Sequence, residues 1–362
     1  MIEPLHTPGT IEEIQEIVRT TSRIMTRGGG TKPALSTSRE GMATIELQKI
    51  SGVTEYKPEE YTITALAGTR LEEVNQLLSS HGQFFPFDPP LVKKGATLGG
   101  TVAAGLSGPG RYQYGGVRDF LLGVKYVDSQ GRLIRTGGKV VKNVAGYDLA
   151  KLMVGSLGQY GVLVELTFKA FPQPEAFASL YAECTSLSQA MERVYKISTS
   201  SLEINAIDIV VGESTLDLWV RMGGIARTLP SRMDRLSNAL GGGEMVSGLP
   251  GERFWGNLRE MAWVPAGWSL IKVPLTPGRI LAFDAELKDT PCLRHYSAGG
   301  QVAWVAMAEL PNSLHESLIT QGFSGLVLFG KSEQPLLGRN PATPFAKRIK
   351  TALDPSLRFV EA

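Results

Sequence analysis

The chain has 362 residues, is 43% hydrophobic and 20% charged, and carries a net charge of +2. That length supports two or three domains with sizeable cores, and a near-neutral balance without a basic stripe argues against a nucleic-acid surface. Only two cysteines, Cys184 and Cys292, are present, which excludes a disulfide framework and argues against a cysteine-ligated iron–sulfur cluster within this chain, since such a cluster usually takes four thiolates.

Residues 11–18 read as an amphipathic helix: Ile11, Ile14, Ile17 and Val18 share a face, Thr10 is the N-cap and Glu13 closes a capping box. Residues 24–26 read as a strand delivering the loop Arg27-Gly28-Gly29-Gly30-Thr31-Lys32. Strands are expected at 43–47 and 61–67, and a helix at 71–78. The segment Phe84-Phe85-Pro86-Phe87-Asp88-Pro89-Pro90 then leads to a second glycine-rich loop, residues 95–105. Residues 121–127 read as a strand, turned by Asp128-Ser129-Gln130-Gly131 into a partner at 132–135. A helix at 143–152 and a strand at 161–171 follow.

Pro172 and Pro174 break both strand and helix, so a domain boundary is expected there, closing a first domain over 1–172. Beyond it, strands at 180–183, 207–211 and 216–222 alternate with helices at 188–197 and 229–240. The same strand–helix–strand order recurs over 268–273, 280–287 and 301–307, with 314–321 after it. This predicts a second α+β domain over 173–340 with an antiparallel sheet, and a helical tail over 341–362. Without regular βαβ repetition, the fold class is α+β and not a doubly wound sheet.

The two glycine loops carry the chemistry. Glycine lets a ligand lie against the main chain, and the exposed N–H groups of such loops cradle anions. Neither loop has an acidic side chain, and together they point to a diphosphate held from two sides. Alone, the first loop reads better as a flexible surface turn. In the second, spacing does not separate a ligand wall from tight helix–strand packing. The P-loop pattern is absent, and no strict Gly-x-Gly-x-x-Gly opens a βαβ helix. Arg118 reads as a salt-bridging neighbour of Asp119. His6, His81, His295 and His315 show no metal-ligand spacing.

These segments resemble the FAD-binding domain of vanillyl-alcohol-oxidase and p-cresol-methylhydroxylase (PCMH) type flavoproteins. More narrowly, residues 84–90, Ala96-Thr97-Leu98-Gly99-Gly100, Gly116-Val117-Arg118-Asp119-Phe120 and Lys142-Asn143-Val144-Ala145-Gly146-Tyr147-Asp148-Leu149 look like the E-subunit family of bacterial glycolate oxidase. The resemblance implies a two-subdomain PCMH-type domain binding FAD, followed by a smaller α+β domain. Carried over by position, the pyrophosphate loop is Gly28, Gly29, Gly30, Thr31 and Lys32. A second set is Asp88, Pro89, Ala96, Thr97, Leu98, Gly99, Gly100, Ala103 and Gly105, and a third is Gly161 and Val162.

The resemblance also implies oxidation of a 2-hydroxy acid to a 2-oxo acid, with a catalytic FAD subunit and an iron–sulfur subunit as partners. Two alternatives stay open: a self-sufficient glycolate or D-lactate dehydrogenase, and a non-catalytic scaffold. Many relatives attach FAD through a histidine in the first loop; this loop has none, so noncovalent FAD is expected. The paired substrate histidines of catalytic relatives are not matched by His295 and His315. The tail reads Ser356-Leu357-Arg358-Phe359 where relatives often have Asn-Pro-Gly. The N-terminus lacks the basic and apolar stretches of a signal peptide, and no apolar run nears the roughly 20 residues of a membrane span. A cytoplasmic protein is expected, reaching the inner membrane only through partners.

Overall fold

The first helix forms where the isoleucine spacing places it. Thr10 Oγ1 accepts the Glu13 N–H at 3.2 Å, Ile14 and Val18 are fully buried, and the Glu13 carboxylate reaches back to the Gly9 N–H at 2.7 Å, one residue before the cap. The computed structural model describes residues 4–138, 148–212, 215–311, 313–332, 334–339 and 343–361. Residues 142–147 of the segment 142–149 therefore lie outside the described residues.

In chain order the structure begins β1 (Leu5–His6), α1 (Ile11–Thr20), β2 (Ile24–Arg27), α2 (Pro33–Ser36), β3 (Ala43–Glu46), β4 (Val53–Lys57), β5 (Thr62–Leu66) and α3 (Leu71–Ser79). It continues β6 (Gln83–Phe84), α4 (Leu98–Ala104), α5 (Arg111–Tyr114), α6 (Val117–Phe120), β7 (Leu121–Val127), β8 (Leu133–Gly137), α7 (Leu149–Leu152), β9 (Val162–Lys169) and β10 (Phe171–Pro172). Then come β11 (Ala176–Cys184), α8 (Leu187–Ser198), β12 (Ala206–Val211), β13 (Leu216–Gly224), α9 (Leu229–Leu240), β14 (Glu244–Ser247), α10 (Leu249–Arg259) and β15 (Ser269–Pro274). The last elements are α11 (Ile280–Glu286), β16 (Leu293–Ser297), β17 (Val302–Met307), α12 (Leu314–Gln321), β18 (Ser324–Phe329), β19 (Leu336–Gly338) and α13 (Thr343–Leu353).

The chain divides into two units: Met1–Ser107, Gly116–Gln173 and Pro341–Ala362 form the first, and Gly108–Gly115 with Pro174–Asn340 the second. The short α5 thus belongs with the second unit, and the tail with the first.

The first unit has a small parallel sheet, β1-β3-β2, and a five-stranded antiparallel sheet, β4-β5-β9-β7-β8. The β7–β8 turn is fixed by Asp128, whose Oδ1 accepts the Gln130 and Arg132 N–H groups at 2.9 Å each. Ile14, Val18, Ile24, Ile45, Val127, Val162, Val164 and Phe359 share one core. Phe359 comes from the tail. Its segment runs parallel to β2 at Ile24, with Ile24 N–H donating to Arg358 O at 2.6 Å and Val360 N–H to Ile24 O at 3.0 Å. Fully buried Asp354 pins this segment, accepting from Lys350 Nζ at 2.6 Å, Arg358 N at 3.0 Å and Phe359 N at 2.9 Å.

The second unit is one nine-stranded antiparallel sheet, ordered β14-β11-β13-β12-β16-β17-β15-β18-β19. The recurring order noted in the sequence is a β-α-β-β-α-β motif used twice: β11-α8-β12-β13-α9-β14 and β15-α11-β16-β17-α12-β18. The halves join edge to edge where β12 pairs with β16 through Ile209↔Tyr296, Val210↔His295 and Val211↔Arg294. β16 escapes a reading of the sequence because Arg294 and His295 interrupt its apolar pattern.

Breaking a buried ion pair from one side leaves an uncompensated charge, at about 3–5 kcal/mol. Asp354→Ala is therefore expected to lose about that much stability in urea unfolding followed by circular dichroism. A change under 1 kcal/mol would contradict the pinning role.

Candidate functional site: a three-walled glycine cradle

The first wall grows out of β2. Its last residue, Arg27, pairs with Glu46 on β3 at 3.0 Å, which fixes the point where the chain leaves the sheet. Residues 28–31 then loop to α2, for which Lys32 is the N-cap and Pro33 the first residue. Gln48 Nε2 donates to Gly28 O at 3.4 Å and holds the start of the loop.

The second wall is not an open loop, as the sequence suggests, but the start of a short helix. Thr97 caps α4, its Oγ1 accepting the Gly100 N–H at 3.3 Å, and Gly105 ends it with φ of 62°. The two walls touch through backbone: a Cβ on Gly28 would collide with Thr97 Oγ1, and one on Gly29 with the Gly95 carbonyl.

The third wall is residues 157–158. Leu157 holds a left-handed φ of 52° and donates its N–H to Ala103 O at 2.9 Å. The tail braces this wall, Lys350 Nζ donating to Gln159 O at 2.9 Å.

Thr26, Arg27, Gly28, Gly29, Gly30, Thr31, Lys32, Leu35, Ser36, Thr97, Gly100, Ala103, Ala104, Leu157 and Gly158 line the resulting cavity, with no carboxylate and no histidine among them. Lys32 is 7% exposed, and its ammonium donates to Thr31 Oγ1 at 2.9 Å. Among the described residues no carboxylate pairs with it. Burial pushes its pKa down from 10.5 to about 8. A desolvated cation facing acid-free backbone is the environment that a diphosphate stabilises, so the residues present fit the phosphate part of FAD. A further cavity of about 290 Å³ shares Gly29 and Thr97 with the cradle and is lined by Gln48, Ser51, Arg70, Lys93 and Lys94 among others.

Of the residues expected from the sequence, the cradle gathers Gly28, Gly29, Gly30, Thr31, Lys32, Thr97, Gly100 and Ala103. Asp88, Pro89, Ala96, Leu98, Gly99, Gly105, Gly161 and Val162 do not line it. Ala96, Leu98 and Val162 are core residues, and Asp88 lies buried with φ of 49° in the turn after the stacked Phe85 and Phe87. Gly99 is required by packing, since a Cβ there would stand 2.8 Å from Ala67 Cβ. A Cβ on Gly161 would meet the Tyr126 ring at 2.7 Å. Thr26, Arg27, Leu35, Ser36, Ala104, Leu157 and Gly158 also line it and were not among the residues expected to bind the cofactor, although Ala104 lies inside the second glycine-rich loop. The Gly155-Ser156-Leu157-Gly158 run was the available signal for the last two.

Comparisons with known proteins agree with this geometry. Residues 3–137 match the FAD binding domain family, so the cradle lies in a flavoprotein domain. The chain is 35% identical over 306 residues to the glycolate oxidase subunit GlcE of Escherichia coli (strain K12), covering 84% of this chain and 82% of that protein. This chain belongs to that family of glycolate oxidase subunits. It is also 32% identical over 200 residues to the glycolate oxidase subunit GlcD of Bacillus subtilis (strain 168), covering 54% of this chain and 42% of GlcD. A D-lactate dehydrogenase of Anaerostipes hadrus is 30% identical over 177 residues, 49% of this chain and 37% of the enzyme. The chain is therefore homologous to FAD-binding oxidoreductases. Two structures of alkyldihydroxyacetonephosphate synthase share the fold, with TM-scores of 0.69 and 0.71 at 15% identity, covering 98% of this chain and 74% of theirs.

Two outcomes test the cradle. Gly29→Ala is expected to cut the flavin retained per chain, read by absorbance after desalting, more than Gly30→Ala does. Gly30 has open space around it and only a φ of 65° to strain. Equal retention in both variants would show that contact between the walls is not what shapes the site.

The second outcome is a pH profile. FAD carries negative charge, so it binds best while Lys32 is protonated. Its dissociation constant is expected to be flat below about pH 8 and to rise by up to about tenfold per pH unit above it. Lys32→Gln should weaken binding at pH 7 and flatten that profile in fluorescence titrations. Between about pH 8 and 10.5 the unfolded chain holds a proton that the folded, FAD-free chain has shed, so that form gains stability as pH rises through this window.

Proposed function

We propose that this chain is the FAD-carrying subunit of a glycolate oxidase-type assembly that oxidises 2-hydroxy acids to 2-oxo acids. The observation that carries this reading is buried Lys32, without a carboxylate partner among the described residues, in an acid-free cradle. In this reading Gly28, Gly29, Gly30, Thr31, Thr97 and Gly100 offer backbone and hydroxyl donors to the FAD diphosphate, and Lys32 supplies the counter-charge. Ala103 keeps the wall low enough for close approach. Asp88, Pro89, Ala96, Leu98, Gly99, Gly105, Gly161 and Val162 hold these walls in place from the surrounding core. The cofactor is held noncovalently, since no histidine lines the cavity. Bound FAD supplies the two-electron acceptor.

The E. coli relative is itself a subunit, which supports a multi-subunit assembly. A sister flavoprotein and an iron–sulfur subunit complete it. No helix among the described residues is long and apolar enough to cross a membrane. In this reading the chain is cytoplasmic and reaches the inner membrane only through those partners.

The purified chain is expected to carry flavin that acid precipitation releases fully into the supernatant. Flavin that stays with the precipitate would overturn noncovalent binding, and a chain that neither retains nor rebinds FAD would overturn the cofactor assignment. Glycolate should bleach the flavin bands once the sister subunits are added.

A further inference from the structure

The two halves of the second unit differ in their helices. In the first half α8 and α9, twelve residues each, pack against each other. In the second half their counterparts α11 and α12 have only seven and eight residues. Between these shorter helices lies an open cavity of about 200 Å³. Phe283 of α11 and Leu287 just beyond it line one side, and Leu314 and Leu318 of α12 line the other. Met307 and Phe323 complete the apolar lining. Phe283 and Phe323 meet edge to face, with ring centroids 5.1 Å apart and planes at 76°.

An apolar cavity of about 150 Å³ lined by such residues takes up benzene, so this one has room for a phenyl ring. The aromatic pair favours an aromatic guest, because rings in edge-to-face or offset contact gain more than their buried area alone gives.

The charge at the mouth narrows the guest further. Glu286 is the one charged residue among those lining the cavity, and among the described residues it has no hydrogen-bond or ion-pair partner. It ends α11, where the helix dipole disfavours a negative charge. Together α11 and α12 carry Asp284, Glu286 and Glu316 and neither lysine nor arginine. Asp284 is already paired with Arg294. The site therefore suits an aromatic group accompanied by positive charge.

The chain carries such a group itself. Helix α13 has no acidic residue, and near its start Phe345 stands 65% exposed. Arg348, three residues on, is its neighbour on the helix surface. Both Lys347 and Arg348 are exposed, and neither side chain has a partner among the described residues.

We propose that the cavity between α11 and α12 receives Phe345 from a second copy of this chain, with Lys347 and Arg348 meeting Glu286. A knob on one surface and its pocket on another make a heterologous contact, which closes into a ring or runs on as a filament according to the rotation between copies. One knob in one pocket is a small interface, so the association is weak and concentration-dependent. It is separate from the FAD site, because the cavity and the cradle have no lining residue in common.

The experiment is sedimentation velocity on the full FAD-loaded chain over a range of concentrations, with flavin content and circular dichroism as controls. The unmodified chain should associate as its concentration rises. Phe345→Ser should raise the dissociation constant at least about tenfold, the size expected for losing one buried aromatic side chain. Glu286→Lys, which reverses the charge at the mouth, should weaken association as well. Ser317→Trp, at an exposed position lining the cavity, fills it and should also block association. An equimolar mixture of the Phe345→Ser and Ser317→Trp chains holds one intact cavity and one intact tail. It should form one-to-one pairs where neither variant associates alone. A chain that stays monomeric at every concentration overturns the proposal, as does association untouched by Phe345→Ser or by Glu286→Lys. A mixture that stays monomeric also overturns it, because the two changes then act separately and not at one contact.

Discussion

The constraint on which the first unit depends is direct contact between two stretches of main chain. Gly28 lies against Thr97 and Gly29 against the Gly95 carbonyl, with no room for a β-carbon at either place. Everything around them serves that approach. β2 and the Arg27–Glu46 pair aim one stretch, the Thr97 cap orients the other, and residues of both line one cavity. Lys32 is the counterpart of this arrangement. A charged lysine this deeply buried is costly in the free protein, and that cost is relieved when the ammonium sheds its proton or when negative charge arrives. The free protein is in this sense incomplete, and the cofactor is part of its electrostatic balance.

How far such a site can be read from a sequence depends on where each residue's partner lies. Helix α1 was legible because its determinants, from Thr10 to Val18, are all local. The β7–β8 hairpin was legible because Asp128 ties its own turn. The glycine loops were legible as places of close main-chain approach for the same reason: what matters is the absence of side chains. Gly99 and Gly161 were misleading because the atoms that exclude a side chain there belong to Ala67 and Tyr126, more than thirty residues away in sequence. Leu157 was not assigned to the cradle because it joins by a backbone bond to Ala103, and the small-residue run around it does not say against which loop it packs.

The second unit teaches the complementary lesson. Its repeated strand–helix order was visible, yet the strand that joins the halves was not, because β16 carries Arg294 and His295 where a buried strand would be apolar. The polar residues that hid the strand are the ones that organise the seam. Asp208 fills its oxygens from three directions, meeting His295, Ser297 and the Ala298 N–H, a network that composition and periodicity do not encode.

The tail strand has a consequence for how the protein is made. Ile24, in the strand that leads to the cradle, finds a partner in Phe359, and the whole of the second unit is synthesised between them. A ribosome that has just finished residue 340 has made every wall of the cradle but not the segment that closes behind β2. Lys350 and Asp354, which lock that segment and brace Gln159, follow the second unit in the chain. The brace behind the cradle can therefore form only after the second unit has been made, although every lining residue precedes that unit's long segment.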